Sequence, residues 1–348
     1  MSNDHLSAVA LMDWEDFAGR LAACARPSKR ASSEEKVFRE YFGDQEFEHL
    51  RALAHRAHTR RKQAAPETTV IVLPGIMGSS LAAVQNGVKD TLIWINALAL
   101  AAGRMEWLRL TEDGRREALA GVQIQPRCVD KRVYARLILR LSAHWDVQPF
   151  AYDWRKDLDL AADMLAATIR EKFAGRPVHL VAHSMGGLVA RNLIRRHKAL
   201  WDSMSAGGRG GRLIMLGTPN RGSFDMVQVF TGQQELVKLL SLVDLKHGRD
   251  ELVSIIATFA GAYEMLPWDP GCEFLYSRDA WGDRPVAELH LKRARAFHEG
   301  LADPVTICAE RMRYIAGTGQ KTLCGIESCG SGRFRFEFTL EGDGRVPH

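Results

Sequence analysis

The stretch Val178-His179-Leu180-Val181-Ala182-His183-Ser184-Met185-Gly186-Gly187 constrains the chain more than any other. It reads as a buried strand that ends on a serine and turns at once into a helical pattern, Leu188-Val189-Ala190-Arg191. Such a corner strains the serine's backbone and leaves no room for large side chains two residues before and after it. Ala182 and Gly186 meet that demand, with alanine where glycine is commoner. The corner also sets Ser184 at a helix N-terminus, where free amides and the helix dipole favour developing negative charge. The pattern makes Ser184 the candidate nucleophile; the bland alternative is a serine that only caps the helix.

Strands and helices alternate around this corner. Val70-Ile71-Val72-Leu73 is a β-branched run ending in Pro74-Gly75, and strand patterns recur at residues 146–150 and 213–216, with helical patterns at 158–173 and 186–197. Alternation of this kind builds βαβ units, and therefore a mainly parallel sheet flanked by helices. Ligands of such sheets bind beyond the carboxyl ends of the strands. Between about 222 and 304 the alternation stops in a helical, apolar stretch that reads as a cap, rich in leucine and valine over 227–245 and 252–259. Strands resume near Tyr314, and residues 334–340 alternate like an exposed hairpin arm. Residues 1–65 carry apolar residues at helical spacing and no catalytic signature, so the expected organisation is an N-terminal helical extension, 1–65, and a catalytic domain, 66–348. A chain of 348 residues with 46% hydrophobic residues has the material for one large α/β core with such additions.

A serine nucleophile needs amide donors aimed at the oxyanion, each worth ~3 kcal/mol in other enzymes. The amide of Met185 is one by position. The second is expected from the loop Pro74-Gly75-Ile76-Met77-Gly78-Ser79, whose glycines let backbone approach closely; Ile76 is the preferred donor and Met77 the alternative. Met77 and Gly78 are also candidates for substrate contact.

Five blocks in order, Pro74 to Ser79, Tyr152-Asp153-Trp154-Arg155, Ala182 to Gly187, Gly217-Thr218-Pro219-Asn220-Arg221-Gly222-Ser223 and Gly342-Asp343-Gly344-Arg345-Val346-Pro347, resemble the lecithin:cholesterol acyltransferase family over about residues 66–348. The resemblance implies an α/β-hydrolase fold and a lipase, phospholipase or acyltransferase that works through an acyl-serine intermediate. It implies Ser184 as nucleophile and Asp343 as the triad acid, 343 − 184 = 159 residues later. Asp153 and Arg155 then read as a structural ion pair or loop brace. The chain departs from the pattern at the base: the histidine normally follows the acid by a further strand, and His348 is only five residues on. His183, His179, His247 and His298 have structural readings, so the catalytic histidine is expected beyond residue 348 and the sequence reads as a domain cut before its base. The expected reaction is hydrolysis of a lipid ester, with transfer to an alcohol as the alternative and an idle interaction module of a larger protein as a third reading. No metal or organic cofactor is implied.

Charge and cysteines add little. The net charge of +5 is concentrated in Arg51, Arg56, Arg60, Arg61 and Lys62, with no interleaved aromatics, so nucleic-acid binding is not expected. Six scattered cysteines do not form a disulfide framework, and the lone C-x4-C of Cys324 and Cys329 is a weak zinc signal. The first residues lack a secretory leader and no apolar run is long enough to span a bilayer, so a cytoplasmic location is expected, with transient membrane-surface contact through the cap.

Overall fold

Strand β1 (Thr69–Leu73) is buried at every position because it is apolar on both faces. Val70 and Val72 join one core cluster and Ile71 and Leu73 the other, so the strand lies between two layers of helices. The structure is a computed structural model describing residues 3–24, 32–63, 67–85, 88–205, 208 and 210–347. The expected boundary at 65/66, and His348, lie outside the described residues.

In chain order, α1 (Asn3–Leu11), α2 (Trp14–Ala23), α3 (Ser33–Phe42) and α4 (Asp44–Gln63) precede β1. Next come β2 (Ser79–Gln85), β3 (Val88–Trp94), α5 (Ala97–Ala101), β4 (Val122–Val129), α6 (Lys131–Leu141) and β5 (Asp146–Pro149). Then follow α7 (Leu158–Lys172), β6 (Val178–His183), α8 (Met185–Arg196), α9 (Lys198–Ser203) and β7 (Leu213–Leu216). The cap holds α10 (Asp225–Phe230), α11 (Glu235–Val243), α12 (Arg249–Ile256), α13 (Ala260–Tyr263) and α14 (Glu288–Leu301); β8 (Met312–Ile315), β9 (Thr322–Ser328) and β10 (Phe334–Thr339) follow it.

Five strands form one parallel sheet in the order β5-β1-β6-β7-β8. The register pairs Leu73 with Ala182 and His183 with Leu216, which brings the ends of β1, β6 and β7 to one edge. This is the mainly parallel, helix-flanked sheet the alternation predicts, with the cap inserted between β7 and β8 and the helical extension ahead of β1. The expected hairpin arm at 334–340 is β10, while the antiparallel sheet lacks a clear sequence signal. An antiparallel sheet β3-β2-β4 stands apart from the main one, and β9 pairs with β10 as a hairpin that precedes the Asp343 loop.

The N-terminal helices share a core with α6: Phe17, Leu21, Phe38, Phe47 and Leu50 pack with Ala135 and Leu139. Part of the basic run on α4 is paired, Arg51 with Glu48 and Arg61 with Asp146 at 3.8 Å. Arg155 is fully buried and bonds Asp153 at 2.7 Å, Glu117 at 3.1 Å and the Leu108 carbonyl at 2.7 Å. Its own carbonyl accepts the Gly261 N–H at 3.0 Å, so the brace spans the main domain and the cap. Among the described residues no helix is long and apolar enough to cross a membrane.

Candidate active site

Ser184 occupies the corner between β6 and α8 at φ 53° and ψ −127°, a conformation that β-carbon sterics penalise. Its N–H donates to the Leu216 carbonyl at 2.9 Å, which locks the corner to the neighbouring strand. A methyl group on Gly186 would lie 2.6 Å from the Pro74 carbonyl oxygen, and Ala182 is fully buried. The small residues therefore let the β1 loop pass directly over the elbow.

That loop closes on itself, with the Gly78 N–H donating to the Gly75 carbonyl at 3.0 Å and Met77 at φ 62°. A β-carbon on Gly75 would come within 2.8 Å of Ser184 Cβ and 3.3 Å of Ser184 Oγ, so only glycine fits there. The Gly75 N–H donates to Tyr134 Oη at 2.8 Å, and Trp94 Nε1 donates to the Met77 carbonyl at 3.0 Å. The amides of Ile76 and Met185 have no acceptor among the described residues. Two partnerless N–H groups beside a serine form an anion cradle.

Ser184, His183, Ile76 and Met77 line a cavity of about 260 Å³ whose other walls are chiefly apolar. Trp94, Trp154 and Met105 come from the main domain, and Met226, Val237, Leu240, Phe259 and Met265 from the cap. Gly78 lies behind the loop, where a β-carbon would meet Pro74 and Tyr134 rather than the cavity. A larger groove of about 720 Å³ runs beside β8, but it contains neither the serine nor the cradle, so the smaller cavity is the candidate site.

Asp343 reaches the same edge of the sheet. Its Oδ1 accepts the N–H groups of Arg345 and Val346, both at 2.8 Å, and those two residues line the cavity. Its Oδ2 lies 2.9 Å from where a β-carbon on Gly217, at the end of β7, would stand. Holding one carboxylate oxygen with two amides fixes the direction of the other. His183 feels the Asp343 charge: burial lowers its pKa, with that charge opposing. Among the described residues it is the only histidine lining the cavity. Its Nδ1 is engaged with Tyr134 Oη at 2.8 Å.

Ser184, Met185, Ile76, Met77 and the Asp343 loop thus meet at one place. Three features escape the sequence. Tyr134 has no local signal because its partners are 59 and 49 residues away. Asp225 and Arg345 form an ion pair of 2.7 Å at the cavity wall, where burial raises the Asp225 pKa and the arginine opposes the rise. Trp94 ends a strand that the pattern does not announce.

A model of the alpha/beta hydrolase family matches residues 126–330, more than half of the chain. The uncharacterized protein YJR098C of Saccharomyces cerevisiae is 42% identical over 73 residues, which is 19% of this chain and 10% of that protein. The chain therefore spans about a tenth of that relative's length. Among solved structures, the Tle4-Tli4 complex aligns at 15% identity and a TM-score of 0.41, over 74% of this chain and 75% of that one. The mature form of Bacillus licheniformis lipase BlEst2 aligns at 16% identity and 0.36, over 73% and 67%.

Proposed function

The chain belongs to the alpha/beta hydrolase family, and from that premise we propose that it cleaves acyl esters of lipids through a covalent acyl-Ser184 intermediate. One observation carries the proposal: a serine strained to φ 53° in the wall of a chiefly apolar cavity, beside two amides that have no acceptor among the described residues. In the reaction Ser184 Oγ attacks the ester carbonyl while a base removes its proton. The Ile76 and Met185 amides take the oxyanion, and collapse of the tetrahedral intermediate expels the alcohol. Water then releases the acid; an alcohol in its place would make the enzyme an acyltransferase.

Asp343 is assigned as the acid that orients the base, through the oxygen left free by the Arg345 and Val346 amides. The base is assigned to a histidine after Asp343 in chain order, following the Ser, Asp, His sequence of this fold. The resemblance to the lecithin:cholesterol acyltransferase family favours a lipid ester, and so does the cap. Helix α11 carries a Glu235–Lys238 ion pair but is leucine-rich on two sides: Val237 and Leu240 line the cavity, while Leu239 and Leu242 on its outer side are more than half exposed, as are nearby Leu245 and Leu98. An exposed apolar patch of this kind suits transient contact with a lipid surface. We retain the division into an N-terminal extension of 1–65 and a catalytic domain.

The test is labelling by a fluorophosphonate. Ser184→Ala should abolish labelling and turnover, and Asp343→Asn should lower turnover by orders of magnitude. Labelling that survives in Ser184→Ala would remove the proposal.

A further inference from the structure

Tyr134 sits on α6, remote in sequence from both blocks of the site, yet its hydroxyl touches each of them. It accepts the N–H of Gly75 at 2.8 Å and lies 2.8 Å from His183 Nδ1. The ring packs edge-on against the His183 imidazole at 5.7 Å and is 4% exposed. A phenol has one proton to give. Since the Gly75 amide is a donor, the hydroxyl accepts there, and among the described residues the acceptor in reach of its proton is His183 Nδ1. Burial pushes the tyrosine pKa up to about 12, so that proton is present throughout the neutral range.

We propose that Tyr134 is a positioning residue that ties the oxyanion loop to the nucleophile elbow and fixes His183 as the Nε2–H tautomer. The inference rests on Ser184 being the nucleophile. Gly75 immediately precedes the proposed donor Ile76, and His183 immediately precedes Ser184. One hydroxyl therefore sets the distance between the amide that receives the oxyanion and the oxygen that creates it. The tautomer has a second consequence. With Nδ1 accepting from Tyr134 and Nε2 carrying the ring proton, His183 has no lone pair to offer Ser184. The histidine nearest the nucleophile is thereby excluded as the base and kept as a neutral part of the cavity wall.

The experiment uses the full chain and its Tyr134→Phe, His183→Leu, His183→Asn and Tyr134→Phe/His183→Leu variants. Tyr134→Phe should slow fluorophosphonate labelling, and lower kcat on a short p-nitrophenyl ester, by about 10- to 100-fold with KM changed less than about twofold, because the cradle is displaced while the binding cavity is intact. The double variant should be no slower than Tyr134→Phe alone, since removing the hydroxyl already breaks the one bond that His183→Leu breaks. Asparagine at 183 places an acceptor near the Nδ1 position and should recover much of the rate lost in His183→Leu. Unchanged labelling in Tyr134→Phe, a KM effect as large as the kcat effect, or additive losses would each overturn the proposal. Nitrogen-15 NMR of His183 decides the tautomer independently of turnover: Nε2 protonated and Nδ1 unprotonated is expected, and the reverse overturns the assignment. If the parent protein takes no label, the hydrolase reading fails while the NMR result still decides this one.

Discussion

On the proposed reaction, the cavity beside Ser184 sets how much acyl chain can be used. Its volume of about 260 Å³ accommodates about nine methylene-sized groups at roughly 30 Å³ each. Each methylene buried contributes about 0.8 kcal/mol, or roughly fourfold in kcat/KM. Across p-nitrophenyl esters from acetate to palmitate, kcat/KM should therefore climb to about eight to ten carbons and then level off. Ala262, 2% exposed on α13, lines this cavity, and Ala262→Leu would fill it with three further carbons. The plateau should move about three carbons shorter. The decanoyl ester, which fills the original cavity, should lose about 60-fold, three fourfold steps, while acetate changes less than about twofold. A series that is flat from acetate onward would refute the reasoning, and so would an Ala262→Leu variant that loses the same factor at every length. Either result would mean that the cap residues pack only on one another.

Two further expectations follow from the same geometry. Gly75→Ala should cut kcat by about 10- to 100-fold, because its β-carbon would stand 2.8 Å from Ser184 Cβ and force the elbow or the loop aside. Gly19→Ala, with nothing within 4 Å, serves as the control, and equal activity in the two variants would show that the loop yields without cost. Burial holds His290 and His298 down at about 4, below the usual histidine value of 6.5. In the unfolded chain these groups take up protons first, so stability is complete above about pH 6.5 and is lost as pH falls towards 4, by about 2 to 3 kcal/mol for each. Urea midpoints at pH 7.5, 6, 5 and 4.5 check this, and a midpoint constant down to pH 4.5 would contradict it.

The elbow is legible in the sequence because its demands are local. A buried strand, a small residue, a serine and two glycines lie within ten positions, and the small residues meet the steric need of the turn. The main sheet is legible for the same reason, since a strand buried on both faces, such as β1, is an unbroken apolar run. The antiparallel sheet is not. Strand β2 is Ser-Ser-Leu-Ala-Ala-Val-Gln, poor in β-branched residues, and β4 contains Pro126. Their pairing decides their conformation more than their own preferences do. Asp343, the proposed acid, is legible through its block rather than through spacing, because the hairpin β9–β10 intervenes between it and the end of β8. Tyr134 has neither kind of signal. The pattern around it, Lys131 to Leu141, is that of any amphipathic helix, and its function comes entirely from what the fold lays against it.

Helix α6 carries load in two directions. Ala135 and Leu139, together with fully buried Lys131, whose Nζ bonds the Ala10 carbonyl at 3.2 Å, rest on the N-terminal helices. Tyr134 and Ile138, on the other side, bear on β1 and the loop that follows it. The four N-terminal helices are thus the foundation of the beam that holds the loop after β1, the proposed oxyanion loop, in place. A void cut in that foundation, at Phe17 or Phe38, would transmit slack through α6 to Gly75. On the proposed roles, the stiffness of the site around Ser184 is set in part roughly 150 residues upstream of that serine, in the part of the chain that looks least concerned with chemistry.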